Sequence, residues 1–294
     1  MKLIRAATIT VANVKAAAAL YAEWLDYSVV EEGVVEADLA ASWGSPESAG
    51  EPYAVLRPAS GADNYIRFVG GKPVPGYKPL TTFGWQAIEI CIQDVHAVNE
   101  RMERSPFKII GPPKEIPGLP TIHPMQVMGP EGEVVYLTHI KGDLPDYDLP
   151  RAASFIDKLF ILVLGGSDMQ GTKAWFANTL GLKAGRDMDI VYTMLNDSFS
   201  LPDTTTHTLC TMIHERDCFL ELDQFPAAAT PRPQHEGALP PGFAMGTFKH
   251  PDFDGIKGDW ITPPVARSSV VYAGGRVGTL RDPDGTLVEV VEAL

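Results

Sequence analysis

Alternating apolar runs and helix-like apolar spacing follow one another in the same order four times along the chain. Around 6–25, an alternating run precedes a segment whose small and apolar residues recur at helical spacing. The same order returns at 87–103 and at 158–182. A fourth copy at 245–260 keeps the strand, but its His-Pro step and Gly255 leave room for only a short helical turn. The repeated pattern predicts a strand followed by a helix at each place.

Polar residues at fixed positions mark where the predicted helices begin and end. Asn13 and Asp94 stand directly before the first two helical segments, and Ser167 or Asp168 stands before the third. Such side chains accept hydrogen bonds from the free N–H groups of a helix start. Gly181 follows the third segment, where a left-handed residue commonly ends a helix. These residues strengthen the prediction of three regular helices.

Short β-like runs follow every helical segment. They read YAVLRP and NYIRFVG, MQVMG and EVVYLTHI, TLCTMIHE and CFLELDQF, and GRVGTLR and TLVEVVEA. Their alternating hydrophobicity is typical of sheets with one face on helices and the other facing a cavity. The fold class is therefore α+β, with four βαβββ modules and curved mixed sheets.

Two similar turns show that the halves of the chain are copies. GPEGEVVYL at 129–137 and DPDGTLVEV at 282–290 are the same hairpin, displaced by 153 positions. The Pro- and Asp-rich stretch around 141–153 is the predicted linker. We expect two domains of two modules each, at 1–145 and 153–294, with each half enclosing its own cavity. The Pro-rich loop 226–242 is predicted to cross a cavity mouth as a lid.

The two hairpins, with the segments LYAEWLDY and WFANTLGL, resemble the vicinal-oxygen-chelate superfamily of glyoxalases, bleomycin-resistance proteins and extradiol dioxygenases. The resemblance covers nearly the whole chain and implies a fold more than a reaction. It also implies a divalent metal (Fe, Mn, Zn or Ni), held by His or Gln on the first strand of a module and Glu on the last. Such a metal binds two neighbouring substrate oxygens.

In the N-terminal half, the residues at the positions implied by this resemblance do not suit a metal. Ala6 and Ala87 (or Gln86, if the strand is bulged) stand at the first-strand positions. Arg67 and Tyr136 stand at the last-strand positions, where they are candidates for orienting a ligand. This half is expected to be metal-free.

In the C-terminal half, two carboxylates remain but both histidines are missing. Lys158 and Met245 stand at the first-strand positions, and Glu221 and Glu289 at the last-strand positions. We expect no conventional metal site, because imidazole is the usual anchor for iron or zinc. Any metal would rest on Glu221 and Glu289.

An ammonium between two carboxylates can take the place of a divalent cation. In this interpretation Glu289 transfers a proton and Lys158 stabilises charge, with Glu221 completing the catalytic trio. The alternative is a buried ion pair without catalytic function, which is retained because loss of one partner is costly.

Further residues are candidates for the same cavity. A tight turn near Arg216 would place Met212 opposite Glu221, and His214 opposite Phe219 as a second acid or base. Apolar pocket residues and two loop histidines complete the predicted substrate-binding set: Met212, Phe219, Phe243, Met245, His123 and His235.

Composition excludes several classes of partner. The net charge is -13, and both nucleic acid and anionic membranes require a basic face. No apolar run is long enough to span a membrane. Three cysteines without metal-type spacing, Cys91, Cys210 and Cys218, suggest reduced thiols in the cytoplasm.

Three functions remain open at this point. The first is a lyase, isomerase or ring-modifying enzyme that acts on a hydrophobic or aromatic oxygenated compound. The second is a non-catalytic small-molecule binder of the bleomycin-resistance type. The third is a divergent metal enzyme, similar to dioxygenases or glyoxalases, which uses Glu221, Glu289 and a loop histidine. A homodimer is compatible with each of them.

Overall fold

The computed structural model describes residues 2–116 and 118–294, and its elements follow the predicted α+β pattern of four modules. The first module consists of β1 (Ile4–Val11), α1 (Val14–Trp24), β2 (Tyr27–Val34), α2 (Ala37–Ser42), a 3₁₀ turn (Pro46–Ser48), β3 (Pro52–Pro58) and β4 (Tyr65–Gly70). The second consists of β5 (Gly84–Ile92), α3 (Val95–Met102), β6 (Lys108–Gly111), β7 (Ile122–Met128) and β8 (Val134–Ile140).

The third and fourth modules repeat this order with local changes. The third consists of β9 (Ile156–Gly166), α4 (Met169–Leu180), β10 (Lys183–Ala184), β11 (Met188–Val191), α5 (Thr193–Phe199), β12 (Thr206–His214) and β13 (Asp217–Gln224). The fourth consists of β14 (Gly242–His250), a 3₁₀ turn (Phe253–Gly255), β15 (Val265–Ala266), β16 (Arg276–Arg281) and β17 (Leu287–Glu292). The short turn after β14 confirms the prediction that the fourth helix is reduced.

The predicted caps determine where the regular helices begin. Asn13, Asp94 and Asp168 each accept a hydrogen bond from a backbone N–H two or three residues further on. Of the two residues proposed to start the third helix, Asp168 and not Ser167 is the cap. Gly181 ends α4 at φ 63°, in the left-handed conformation that favours glycine.

Each sheet takes one module from either half of the chain. Among the described residues, one sheet has the order β15-β16-β17-β14-β1-β4-β3-β2, and the other has the order β10-β12-β13-β9-β5-β8-β7-β6, with β11 also paired to β12. The antiparallel pairs β1–β14 and β5–β9 join the halves. The prediction that both modules of a half share one sheet and cavity is therefore wrong. The domain limits 1–145 and 153–294 follow the repeat in the sequence and stay a prediction.

A large apolar core lies between the sheets and beneath the helices. Trp85 on β5 packs against Phe243 and Phe248 on β14, with ring centroids 5.1 and 6.0 Å apart. A Cβ at Gly246 would lie 2.8 Å from the Trp85 ring, so this close approach of the two sheets requires glycine. No helix in the described part of the chain is long and apolar enough to cross a membrane. The three cysteines are buried free thiols.

The two copied hairpins use a buried carboxylate in the same place but take it from different residues. In the C-terminal turn, Asp282 accepts a hydrogen bond from the N–H of Asp284 at 3.0 Å. In the N-terminal turn, Glu133 accepts the equivalent bond from Glu131 at 3.1 Å. A Cβ at Gly129, the counterpart of Asp282, would lie 1.8 Å from Oε1 of Glu133. Gly129 therefore leaves space for the carboxylate of Glu133. In the C-terminal turn, Asp282 at the position of Gly129 carries the carboxylate itself.

The same turns connect the two modules within each half. Asp284 accepts a hydrogen bond from the N–H of Ser167 at 2.8 Å, directly before the cap of α4. Glu131 accepts one from the N–H of Ala12, also at 2.8 Å and directly before the cap of α1. Strand pairing thus joins modules across the halves, whereas turn carboxylates join them within a half.

This exchange of carboxylates gives a double-mutant prediction. Gly129→Asp alone should destabilise the protein by about 1–3 kcal/mol, because the new side chain overlaps the Glu133 carboxylate. Glu133→Thr alone should also destabilise it, because the N–H of Glu131 loses its acceptor. The double variant Gly129→Asp/Glu133→Thr copies the C-terminal turn and should be more stable than either single variant in urea denaturation. If the free energy lost in the double variant equalled the sum of the losses in the two single variants, the two turns would not be equivalent.

Candidate functional site

Strand register brings four side-chain positions together on each sheet. Within every module the first and last strands are parallel neighbours, so each first-strand residue has a defined partner. In the eight-stranded sheet these pairs are Thr8 with Arg67 and Thr247 with Glu289, which we call the 1/4 centre. In the other sheet they are Glu89 with Tyr136 and Val163 with Glu221, which we call the 2/3 centre. The two centres differ sharply in charge.

A buried ion pair lies in the middle of the 1/4 centre. Nη2 of Arg67 is 2.9 Å from Oε2 of Glu289, and both side chains are almost completely buried, with exposed fractions of 3% and 0%. Nε of Arg67 donates to Thr8 Oγ1 at 2.9 Å, and Thr247 donates to Glu289 at 2.7 Å. Burial acts against the charge of Arg67, but nearby Tyr272 and Glu289 favour it and leave the arginine pKa above its usual value.

Two aromatic residues close the 1/4 centre. The indole N–H of Trp43, directly after α2, donates to Oε1 of Glu289 at 2.7 Å, and its ring centroid lies 4.8 Å from Cζ of Arg67. The hydroxyl of Tyr272 donates to the same oxygen at 2.9 Å and accepts from Arg67 at 2.6 Å. Both glutamate oxygens therefore accept two hydrogen bonds each. A satisfied, sealed pair of this kind leaves no coordination position for a cation.

The 2/3 centre contains carboxyl groups, and among the described residues no positive side chain contacts them. Burial, and then the charge of Glu221, raises the pKa of Glu89 to about 8. Burial also raises the pKa of Glu221, which shares a hydrogen bond with Asp223. The pKa of Asp223 lies well above its usual value, because of burial and the neighbouring Glu221 charge. Thr138 donates a hydrogen bond to Glu89. Protons rather than positive side chains therefore stabilise this cluster at neutral pH.

Two tyrosines connect the cluster to the outside. The hydroxyl oxygen of Tyr192 lies 2.6 Å from that of Tyr136 and 3.2 Å from Oε1 of Glu221. Burial raises the pKa of both tyrosines, so they keep their protons at neutral pH. Tyr192 and Glu221 are only partly buried, unlike the sealed pair of the other sheet. The 2/3 centre can therefore exchange protons with a small molecule that reaches Glu221.

Comparison with solved structures identifies the architecture. Glyoxalase I from Zea mays has a TM-score of 0.64 at 15% sequence identity, and the match covers 98% of this chain and 92% of the maize protein. A putative dioxygenase from Bacillus subtilis subsp. subtilis str. 168 has a TM-score of 0.62 at 12% identity, with 99% and 85% covered. The chain has the vicinal-oxygen-chelate fold. No family model and no curated protein matches it by sequence.

The residues at the metal positions of the vicinal-oxygen-chelate fold do not fit a conventional metal. In the 1/4 centre the guanidinium of Arg67 already pairs with the one carboxylate. In the 2/3 centre two positions are glutamates, but Tyr136 and Val163 hold the others. Among residues 2–116 and 118–294, no three His, Cys, Asp or Glu side chains are grouped closely enough to hold a metal ion. Metal-free operation stays a prediction that metal analysis must test.

The structure does not bring the predicted catalytic trio together. Glu221 and Glu289 lie in different sheets. Lys158 is partly exposed, and its Nζ contacts the carbonyl of Arg151 at 3.3 Å and a carboxylate oxygen of Asp157 at 3.4 Å. The strand partner of Glu221 is Val163, which lies five residues further along β9 than Lys158. At the usual rise of a strand, Lys158 is therefore about 16 Å along β9 from the position beside Glu221. The prediction that Lys158 stabilises charge beside Glu221 and Glu289 is therefore wrong.

The predicted hairpin register near Glu221 is also wrong. Thr211, not Met212, lies opposite Glu221, and His214 lies opposite Asp217 rather than Phe219. The turn is one residue earlier than predicted, with Glu215 at φ 56°, and a bulge follows Met212. His214 therefore lies at the hairpin end.

Most of the predicted pocket residues belong to apolar clusters instead. Met212, Phe219 and Phe243 lie in the core between the sheets and helices, and Met245 packs in the cluster around Trp43.

The two loop histidines also lie elsewhere. His123 is on β7 and faces the helix side, with its ring centroid 5.2 Å from that of His96. His235 is exposed on loop 226–242 and contacts the carbonyl of Pro73 at 3.1 Å.

Several important residues were missed, and some of them had a signal. Glu89 is the one charged residue in the apolar strand GWQAIEICI, and a lone buried acid in such a run indicates function. The predicted first-strand positions of three modules, Ala6, Ala87 and Met245, are two residues too early. The structure has Thr8, Glu89 and Thr247 there. The start of a strand in the sequence does not determine its register. Trp43, Tyr192 and Tyr272 come from connecting segments, and no sequence signal pointed to them.

The ion pair of the 1/4 centre should be required for stability. Arg67→Met leaves the buried charge of Glu289 without a partner and should destabilise the protein by about 3–5 kcal/mol in urea denaturation. Adding Glu289→Gln should recover part of this loss. Arg276→Met, which breaks solvent-accessible ion pairs with Glu292 and Asp254, is the control and should destabilise the protein much less than Arg67→Met. An equal effect of both single variants would contradict a sealed centre.

The acid cluster should make stability fall as the pH rises. Folded Glu89 keeps its proton up to a pKa of about 8, whereas the unfolded chain releases it near 4.5. The folded state therefore binds more protons between these values, and stability decreases across that window. Relative to wild type, Glu89→Gln should gain on the order of 4 kcal/mol at pH 8.5 and little at pH 4.5. Exposed Glu100→Gln is the control, and a gain that does not depend on pH would refute the assignment.

Proposed function

We propose that this protein is a small-molecule enzyme that moves a proton on a hydrophobic or aromatic oxygenated compound at the 2/3 centre. The observation that carries the proposal is the pair of glutamates with raised pKa values, Glu89 and Glu221, beside two protonated tyrosines. An acid or base is most effective when its pKa lies near the working pH. The location supports the proposal, because these residues occupy the positions from which this fold presents functional groups.

The residues divide into a proton acceptor and hydrogen-bond donors. Glu221 is partly accessible and takes a proton from carbon next to a substrate carbonyl. The electron pair moves to the carbonyl oxygen, where a hydroxyl of the Tyr136–Tyr192 pair donates a hydrogen bond. Return of the proton to a different carbon completes an isomerisation, and loss of a leaving group completes an elimination. Glu89 is a positioning residue, whose proton lowers the charge of the site.

A ligand must displace the side chains that cover this centre. Tyr192 directly precedes α5, and Met194 within that helix packs in the apolar cluster that contains Tyr136 and Val163. Tyr192 and Met194 thus cover the centre with largely apolar side chains, which favours a ligand with an apolar body and few oxygens.

A non-catalytic binder is the second candidate. The observation that favours it is the lack of a positive side chain among the described polar contacts of the 2/3 centre. Such a protein would hold a neutral oxygenated compound by a hydrogen bond from Tyr192.

Isotope exchange distinguishes the two candidates. In D₂O, wild type should incorporate deuterium next to the carbonyl of hydroxyketones or enones from a compound library, as detected by NMR. Glu221→Gln should lower that rate by about 10²-fold, because it removes the proton acceptor. Exposed Glu100→Gln should leave it unchanged.

Other results would favour the alternatives. Saturable thermal stabilisation by a compound without exchange would support the binder and reject the enzyme. Stoichiometric Fe, Mn, Zn or Ni in purified protein, lost on Glu221→Gln, would instead support a divergent metal enzyme.

A further inference from the structure

A cavity lies outside both centres, where the two sheets meet the loop 226–242. Its volume is about 270 Å³, and its walls come from the start of β5, from this loop and from the turn between β16 and β17. Phe83 contributes apolar surface, and Arg232 and Arg281 contribute two guanidinium groups. The predicted lid loop therefore borders a real cavity, although this cavity does not contain the acid cluster.

Both arginines donate hydrogen bonds to neutral oxygens. Arg232 donates to Thr82 Oγ1 at 3.1 Å, to the carbonyl of Phe243 at 2.7 Å, and to two further backbone carbonyls. Arg281 donates to the carbonyl of Gly285 at 2.8 Å. Among the described residues, no carboxylate oxygen lies within 4.0 Å of either guanidinium. Two guanidinium groups thus face one cavity without a carboxylate in direct contact among the described residues, and the carboxylate of Asp284 lies elsewhere in its wall.

Arg232 is half-buried, so part of the water around its charge is lost. Burial lowers the pKa of Arg232, which reflects the loss of water around its charge. Buried charges in proteins are normally paired, and a charge-assisted hydrogen bond to an anion relieves the penalty. Asp284 also lines the cavity, but its carboxylate already accepts hydrogen bonds from the N–H and the hydroxyl of Ser167.

The backbone keeps the space beside Arg232 open. Gly84 adopts φ +108°, which a side chain would strain, and a Cβ there would lie 3.6 Å from Cζ of Arg232. Arg232 makes four hydrogen bonds that hold it in place, whereas Arg281 makes one among the described residues and is exposed. Arg281 therefore has free N–H groups for a bidentate contact with a ligand.

We propose that this cavity binds the carboxylate of a small organic acid, with Arg281 and Arg232 holding the anion and Phe83 contacting its apolar body. A flat acid of the size of benzoate suits the volume and the aromatic wall. The net charge of -13 disfavours anions over the rest of the surface, so the two arginines give this place its selectivity. The site does not depend on the function proposed for the 2/3 centre.

Calorimetric titration with benzoate and with the neutral analogue benzamide tests the proposal. Benzoate should bind to one site at least about ten-fold more tightly than benzamide, and its affinity should fall with added NaCl. Arg281→Gln should weaken benzoate binding by about ten-fold and leave benzamide unchanged. Since Arg281 is exposed, its replacement should leave the melting temperature unchanged.

Two control variants assign the binding to this cavity. Exposed Arg104→Gln removes the same charge elsewhere and should bind benzoate like wild type. Glu221→Gln should also bind benzoate normally, so failure at the 2/3 centre cannot be mistaken for failure here. Equal affinity for benzoate and benzamide, or unchanged benzoate affinity in Arg281→Gln, would overturn the proposal.

Discussion

The antiparallel contact between first strands of opposite halves is the constraint on which both centres depend. Each first strand lies between the last strand of its own module and the first strand of a module from the other half. This arrangement places Thr8 and Arg67 beside Thr247 and Glu289. If the β1–β14 contact were lost, neither the ion pair nor its aromatic cover could form. Each half therefore supplies only part of a centre, although it is a complete copy in sequence.

The same backbone frame supports two opposite electrostatic solutions. In the 1/4 centre a guanidinium neutralises the buried carboxylate, and aromatic groups satisfy the remaining hydrogen-bond positions. In the 2/3 centre no cation is present among the described contacts, so Glu89 and Asp223 reduce the charge by retaining protons. An ion pair does not change its protonation near neutral pH, whereas a cluster of acids does. This difference, more than the shared fold, determines which centre can perform acid–base chemistry.

Sequence pattern predicted the fold well because each module carries local signals. Caps such as Asn13 and Asp168, and Gly181 past the end of α4, act within one helical turn. The site was predicted less well, because its composition depends on register and on pairing between distant strands. A two-residue displacement exchanges Ala87 for Glu89 on the same face of β5 and changes an apolar position into an acid. A cation does stand beside a last-strand carboxylate, but it is Arg67 in the other sheet rather than Lys158.

The covering segments explain why one centre is sealed and the other is reachable. Modules one and three both place a short helix between their second and later strands, and a neighbouring aromatic residue reaches a last-strand glutamate in each case. Trp43 is completely buried, contacts both members of the ion pair and cannot leave without exposing two charges. Tyr192 is partly exposed and makes a 3.2 Å contact with Glu221, a group that can be neutral. Displacing Tyr192 therefore costs much less than displacing Trp43, which makes the 2/3 centre the one that a ligand can enter.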